Sequence, residues 1–315
     1  MPGGVYDPPT MAAPPFPFAA EAAALASSVL WAGAGIVFRK MRGVVAPAAL
    51  NFTKNAVATS CFAVVTLVLI GSPYPTHVPL AAQGWLVLSG VVGLAVCDTF
   101  LLRSMMEIGP RRATLLMLTA PVLVFVGALF PPFSQTAALS EPWTLVGVAL
   151  ALGGVGLTSL EAPDLDADPA RVRRGVIDGL IAGVLQAAGV LLAFLGLEDG
   201  AAPLEAAMVR LLAGTAALGV GAVLLGQVGS WGRSLATPGT LRTVTIAAFF
   251  GTFLGIGLNQ CGLAWSASTG VVSTLNALAP VWLIPLSRVF LGERHGVLAW
   301  ASTALAIIGV AILSR

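Results

Sequence analysis

Charge is what this sequence has least of. Only 10% of its 315 residues are charged, 57% are hydrophobic, and the mean hydropathy is +0.93. A soluble globular domain carries about 25% charged residues, so this chain has too few to cover a water-facing surface. The net charge of +2 provides no basic face for nucleic acid. The composition therefore predicts a membrane protein.

Residues that commonly carry catalysis or bind metals are also scarce. The chain has three cysteines without a C-x-x-C pair, and its two histidines, His77 and His295, lie outside the apolar stretches. These features argue against a disulfide framework, a zinc site and a histidine-based membrane protease. No glycine-rich motif ending in GK[ST] is present, so no ATP-driven mechanism is expected. We expect no enzyme activity, no cofactor and no metal.

Long apolar runs dominate what is there. A bilayer core of about 30 Å takes about 20 mostly apolar residues per helix. Ten stretches fit this length: 22–39, 46–70, 83–102, 110–132, 143–160, 176–197, 204–226, 243–264, 269–291 and 296–313. Residues 1–18, rich in Pro and Gly, are predicted to be a disordered tail without the positive region of a signal peptide. The predicted fold is an all-α integral membrane protein of ten transmembrane helices.

Several proline, glycine and basic positions of the first half recur at similar spacing in the second half. Three matches carry this: Pro47 and Lys54 with Pro203 and Arg210, 109–122 with 268–281, and Gly154 with Gly309. We predict two five-helix repeats, 19–161 and 175–315, joined by a surface linker, 162–174. An odd number of helices per copy forces the copies into opposite orientations. Inverted repeats are typical of alternating-access transporters, whose substrate site lies between the copies near the midplane.

Several short motifs resemble one transporter family. They are Trp31-Ala-Gly-Ala-Gly, Arg210-Leu-Leu-Ala-Gly, the pairs Ala120-Pro121 and Ala279-Pro280, Leu291-Gly292-Glu293, and Cys97-Asp98-Thr99, where Cys97 replaces the glycine of some members. Over residues 20–313 the chain resembles the drug/metabolite transporter (DMT) superfamily in its ten-helix EamA form. The resemblance implies a secondary carrier of metabolites, often an exporter, without implying one substrate.

The basic residues are distributed very unevenly among the predicted loops. Loops on one side hold thirteen of the sixteen: Arg39, Lys40, Arg42, Arg103, Arg111, Arg112, Arg171, Arg173, Arg174, Arg233, Arg242, Arg288 and Arg294. The other side has only Arg315. Because Lys and Arg favour cytoplasmic loops, we predict a multi-pass cell-membrane protein with both termini outside. The family resemblance implies the opposite, termini inside; we follow the charge rule.

Two ionisable residues of the first half lie inside predicted spans, where charge is costly and marks functional candidates. Lys54 and Asp98 each lie roughly 7–10 Å inside the same membrane face, at about 1.5 Å of helix rise per residue, and can pair. By the predicted boundaries Asp98 is the only carboxylate well within a span. The two residues form either a coupling site, with Asp98 taking up a transported proton, or a static pair that fixes helix packing. Separate snorkelling of Lys54 to the interface is a third alternative.

Arg210 occupies the place of Lys54 in the second half. It either snorkels or clamps the packing, with Glu205 as a candidate partner, or it contacts a carboxylate or phosphate of the substrate. Amide side chains in apolar helices need partners, and these are candidate substrate ligands: Asn51, Asn55, Gln186, Asn259, Gln260 and Asn276. We predict that Asn51, Asn259, Gln260 and Asn276 converge on one water-accessible space. Trp31, which the resemblance places in a cavity-lining helix, is either an aromatic platform or a packing residue.

The function that best fits these features is secondary transport of small metabolites, driven by protons or by exchange. The partners expected are a small-molecule substrate, the lipid bilayer and, as a candidate coupling ion, the proton; the sequence does not indicate an oligomeric state. One alternative on the same fold is a lipid-linked sugar or lipid translocase. Another is a membrane scaffold that transports nothing.

Overall fold

The computed structural model describes residues 15–127, 130–132, 142–160, 168–265 and 269–313, and all regular elements in these ranges are helical. The α-helices are α1 (Ala19–Lys40), α2 (Pro47–Ile70), α3 (Leu80–Gly90), α4 (Cys97–Ile108), α5 (Pro110–Met117), α6 (Thr119–Gly127), α7 (Pro142–Leu160), α8 (Pro169–Glu198), α9 (Pro203–Leu224), α10 (Val228–Leu235), α11 (Thr240–Ala248), α12 (Gly255–Trp265), α13 (Thr269–Asn276), α14 (Ala279–Leu291) and α15 (Val297–Leu313). Two π-helical segments, π1 (Val91–Val96) and π2 (Phe249–Leu254), join α3 to α4 and α11 to α12. Most of the predicted N-terminal tail and residues 162–167 of the predicted linker lie outside the described residues.

Eight helical segments in the described ranges are long and apolar enough to cross a membrane: α1, α2, α3–π1–α4, α5–α6, α8, α9, α11–π2–α12 and α13–α14. Two shorter apolar helices, Leu145–Leu157 and Val297–Ile312, lie within α7 and α15. Large apolar side chains such as Val68 and Leu224 are exposed on the outside of the bundle. Such an outer surface requires lipid, so the all-helical, multi-pass membrane class predicted from the sequence is confirmed.

The third predicted span is longer than the sequence suggested, because only Gly109 separates it from the fourth. Helix α4 continues to Ile108, and α5 begins at Pro110. Gly109 has a φ of 87°, which costs glycine nothing but is strained for other residues. As a result, Arg103 and Arg111, counted as loop residues from the sequence, lie in helices, and Arg111 is buried.

The sixth span also begins earlier than predicted. Asp168 caps α8 by accepting a hydrogen bond of 3.0 Å from the amide of Ala170, and Pro169 occupies the first helical position. The basic residues 171–174, expected in the linker, are therefore helical. Asp178, near the start of the predicted span, is therefore well inside the helix, where it is buried. Asp98 is thus not the only carboxylate well within a span, contrary to the prediction.

Features of the two halves recur at nearly constant separation. The π segments begin at Val91 and Phe249, and helices break at Leu118 and again at 277–278, each time just before an Ala-Pro pair. Proline has no backbone N–H to donate to the carbonyl four residues earlier, which accounts for both breaks. The short helix α10, in the loop predicted after the seventh span, has no counterpart among the predicted spans.

Some residues at corresponding positions of the two predicted repeats are in contact. The hydroxyl groups of Thr59 on α2 and Thr215 on α9, 156 residues apart, are 3.1 Å from each other. Helices α7 and α15 cross at two glycines: a Cβ on Gly154 would overlap Ala306, and one on Gly309 would overlap Ala151. At these two glycines the backbones of α7 and α15 are in close contact, as small residues allow in membrane helices.

Candidate functional site

An ion pair lies in the interior of the bundle, between α2 and α4. The Nζ atom of Lys54 is 2.6 Å from Oδ2 of Asp98 and also donates to Oδ1 of Asn55 at 3.0 Å. The side chains of Lys54 and Asp98 are 8% and 16% exposed. The contact that the sequence left open between these two residues is therefore present. The residues around the pair determine its net charge and its hydrogen bonds.

Two amides fix α2 against the π segment that precedes Asp98. Asn51 Nδ2 donates to the carbonyl oxygens of Leu94 and Ala95, both at 2.9 Å, and Asn55 Nδ2 donates to Leu94 at 3.3 Å. A π turn shifts the backbone hydrogen bonds out of the α register, so carbonyls become available to a neighbouring helix. Asn51 and Asn55 are fully buried, which makes them supports of the ion pair rather than groups that face a ligand.

Arg210 of α9 lies beside the pair. Its Nη2 atom faces Gly93 of π1, where a Cβ would be 3.5 Å away, at ordinary van der Waals distance. The Nε atom of Arg210 is buried without a hydrogen-bond partner, and the residue as a whole is half-buried. Among the described residues, Arg210 forms no salt bridge. We call Lys54, Asp98 and Arg210 the charged cluster; its formal charge is +1, from two cations and one carboxylate.

Glu205, the candidate partner of Arg210, is engaged elsewhere. Its Oε1 lies 2.6 Å from Nε2 of His77, and its Oε2 accepts from the amide of Ala202 at 3.0 Å. Glu205 belongs to the first turn of α9, where free backbone N–H groups need acceptors. These contacts make Glu205 a partner of His77 and of the helix terminus rather than of Arg210. His77 was not singled out from the sequence, because it lies in a loop, 128 positions from its partner.

Gln186 reaches the cluster from α8 through a residue that the sequence did not single out as a ligand. The Sγ atom of Cys97 donates to the carbonyl oxygen of Ala182 at 3.2 Å and contacts Oε1 of Gln186 at 3.6 Å. Cys97 directly precedes Asp98, so this contact places Gln186 one residue away from the cluster. The cluster and its neighbours thus come from α2 and α4 of the first half and from α8 and α9 of the second.

The four amides predicted to converge do not meet. Asn276 donates to Asn259, Gln260 donates to the carbonyl oxygen of Pro203 at 2.7 Å, and Asn51 is sealed against π1. Asn259 and Gln260 are consecutive, so they point about 100° apart on their helix and cannot face one space. The prediction of a single amide-lined, water-accessible space is wrong. The contact between Asn259 and Asn276 is the part of that set that the structure brings together.

Trp31 lies in a groove made by a glycine. A Cβ on Gly255 would be 2.5 Å from Nε1 of Trp31, and the carbonyl of Gly255 accepts a hydrogen bond of 2.9 Å from Ser27. Gly255 directly follows π2, so this contact ties α1 to the second half. The sequence did not single out Trp282, whose Nε1 donates to Ser28 at 2.9 Å. These contacts favour the packing interpretation of Trp31.

A cavity of 740 Å³ opens at the membrane face where α2 begins. It is lined by the segment 42–47, Arg103, Met106, Glu107, Arg174 and Asp178. Arg103 is 3.2 Å from Asp178, and Arg171 is 2.9 Å from Glu107. We call this cavity the vestibule. Lys54 lies two turns, roughly 10 Å, further along α2 from the vestibule residue Pro47.

Known proteins resemble the chain in its second half and in its fold. Eighteen chains of solved structures match it. One of them, described only as a crystal structure of a protein, has a TM-score of 0.65 and 16% identity over 94% of this chain and 97% of its own. That likeness shows a shared fold, and no curated protein matches the chain. Residues 173–315 match the model of the EamA-like transporter family. The resemblance drawn from the sequence motifs is therefore confirmed by a match to this family over residues 173–315.

Proposed function

We propose that this chain is a secondary active transporter of small metabolites that works by alternating access between two inverted five-helix repeats. One observation carries the proposal: the charged cluster lies inside an apolar bundle and is assembled from both halves. Lys54 and Asp98 come from the first half and Arg210 from the second. Ionisable groups at such depth are expensive and mark substrate or ion pathways, and carriers place their sites between repeats.

The recurring features of the fold support the repeats. The π segments, the breaks before the Ala-Pro pairs, and the Thr59–Thr215 contact all relate one half to the other. In this proposal α7 and α15 are the fifth and tenth transmembrane helices, and residues 19–161 and 175–315 are the two repeats. Five helices per repeat would place the copies in opposite orientations, as alternating access requires.

Asp98 is the proposed coupling residue. Lys54 and Asp98 lie in the same half, so rocking one half against the other leaves this pair together. Arg210 lies in the other half, and the same motion changes its distance from Asp98. Asp98 would then have two cations nearby in one state and only Lys54 in the other. Its tendency to bind a proton would therefore differ between the two states. This mechanism needs only the charges of the cluster and a proton gradient.

Transport by proteoliposomes tests the proposal. Purified protein is reconstituted with a trapped pH-sensitive dye and exposed to amino acids, organic acids, nucleosides and sugars under a proton gradient and under exchange conditions. We expect at least one compound class to be accumulated, and Asp98→Asn to lose gradient-driven accumulation while keeping exchange. Asp178→Asn is the matched control, because Asp178 is a buried carboxylate of the vestibule. Full gradient-driven accumulation by Asp98→Asn would refute the coupling role, and absence of exchange for every class would refute the transporter.

A further inference from the structure

The charged cluster carries one positive charge that nothing in the described structure neutralises. Asp98 is in direct contact with Lys54 at 2.6 Å, and among the described residues Arg210 has no salt-bridge partner of its own. Uncompensated charge in a low-dielectric interior is costly, and proteins normally remove it by pairing or by binding a counter-ion. The imbalance therefore calls for an anion from outside the chain.

The hydrogen-bonding state of Arg210 points to the same conclusion. Among the residues that the structure describes, its buried Nε–H has no acceptor, whereas Lys54 has both Asp98 and Asn55. A guanidinium presents its donors in a planar fork that matches the two oxygens of a carboxylate or a phosphate. The Nη2 atom of this fork faces Gly93 of π1, a position that bears no side chain.

We propose that Arg210 binds an oxyanion group of the transported substrate, a carboxylate or a phosphate, with Lys54 held back from it by Asp98. The proposal rests on the transporter function proposed above and narrows its substrate to anionic metabolites. Neutral and cationic compounds lack the charge that would balance the cluster. The vestibule is consistent with this choice, because three arginines and two carboxylates line it, again an excess of one positive charge.

Matched pairs of probes test the charge requirement without knowledge of the natural substrate. The melting temperature of the purified full-length protein is measured with acetate and acetamide, benzoate and benzamide, and glycerol 3-phosphate and glycerol. Dihexanoyl phosphatidylglycerol is added as a separate arm, to distinguish a lipid phosphate from a soluble one. A ligand that binds only the folded state raises its melting temperature by mass action. We expect the anionic member of at least one pair to stabilise the protein, and its neutral partner to have no effect.

Variants assign the effect to Arg210. Loss of one charge-assisted hydrogen bond should weaken anion binding roughly 10- to 100-fold in Arg210→Gln. Arg210→Lys should retain part of the binding, since it keeps the charge without the fork. Arg242→Gln, which removes an exposed arginine outside the cluster, should bind like the unmodified protein. Without ligand, Arg210→Gln should melt no lower than the unmodified protein, because it removes an unbalanced buried charge; a purely structural clamp would melt lower.

Two results would overturn the inference: stabilisation that is equal or absent for the anionic members of all pairs, or unchanged anion binding by Arg210→Gln. These results are separable from failure of the transporter. Exchange of a neutral compound by proteoliposomes would leave transport standing while the anion inference falls. Anion binding that depends on Arg210, without any exchange, would retain the anion site and refute transport.

Discussion

Removing the charges of the cluster one at a time should destabilise the protein unequally. Asp98→Asn leaves Lys54 and Arg210 without a carboxylate and raises the net charge of the cluster from +1 to +2. Lys54→Met leaves Asp98 with Arg210 and lowers the net charge to zero. Breaking a buried pair costs about 3–5 kcal/mol when an uncompensated charge remains. We expect Asp98→Asn to reach the upper end of that range, and Lys54→Met to fall below about 3 kcal/mol because Arg210 supplies a replacement partner.

The double variant makes the reasoning quantitative. Lys54→Met with Asp98→Asn returns the net charge to +1, so most of the loss should be recovered. Independent effects would sum to roughly 7 kcal/mol, whereas we expect the double variant to lie within about 2 kcal/mol of the unmodified protein. Denaturant titration in detergent micelles measures all three free energies of unfolding. Asp178→Asn is the control and should lose less, since its partner Arg103 is 46% exposed and solvent screens that pair. Equal losses in the two single variants, or a double variant at the additive sum, would show that Arg210 does not share Asp98.

Two further predictions concern topology and packing. From the positions of the basic residues, Thr76→Cys in a cysteine-free background should react with a membrane-impermeant maleimide in intact cells, and Ser230→Cys should be protected; the reverse pattern would place both termini inside. Gly309→Leu should lower the free energy of unfolding by about 2 kcal/mol or more, because its Cβ would overlap backbone of Ala151, while Gly156→Leu, which faces open space, should be nearly neutral; a neutral Gly309→Leu would mean that α7 and α15 do not pack as described.

The class of fold was predictable because it depends on composition and run length, which the bilayer constrains strongly. Helix boundaries were less so. The sequence contains Gly109 but does not show that this single residue is the whole connection between two spans. It contains Asp168 but does not show that a helix begins there, ahead of the basic residues that follow. The π segments have no composition that distinguishes them from α-helix. Their effect is local, since they release the carbonyls that Asn51 and Asn55 bind.

The ionisable residues of the site could be predicted from the sequence, whereas the contacts of its amide residues could not. Lys54, Asp98 and Arg210 stood out because each is ionisable in an apolar span. The structure pairs Lys54 with Asp98 and places Arg210 against Gly93 of π1, the segment that precedes α4. The amides stood out for the same reason, but an amide can be satisfied by any nearby carbonyl. Gln260 found one at Pro203, on a neighbouring helix. Sequence patterns therefore locate charged groups, which need an opposite charge, better than amide groups, which any nearby carbonyl can satisfy.

The position of Arg210 depends on residues that carry no charge. Its backbone passes so close to α3 that a Cβ on Gly90 would overlap the carbonyl oxygen of Arg210, and a Cβ on Gly189 of α8 would be 2.8 Å from the Cα of Gly93. The three helices thus meet backbone to backbone at the level of the cluster, as small residues permit. A side chain at Gly90 would push α9 away and carry the guanidinium with it. The distance between Arg210 and Asp98 is accordingly set by glycine packing, and the charges act at the separation that this packing allows.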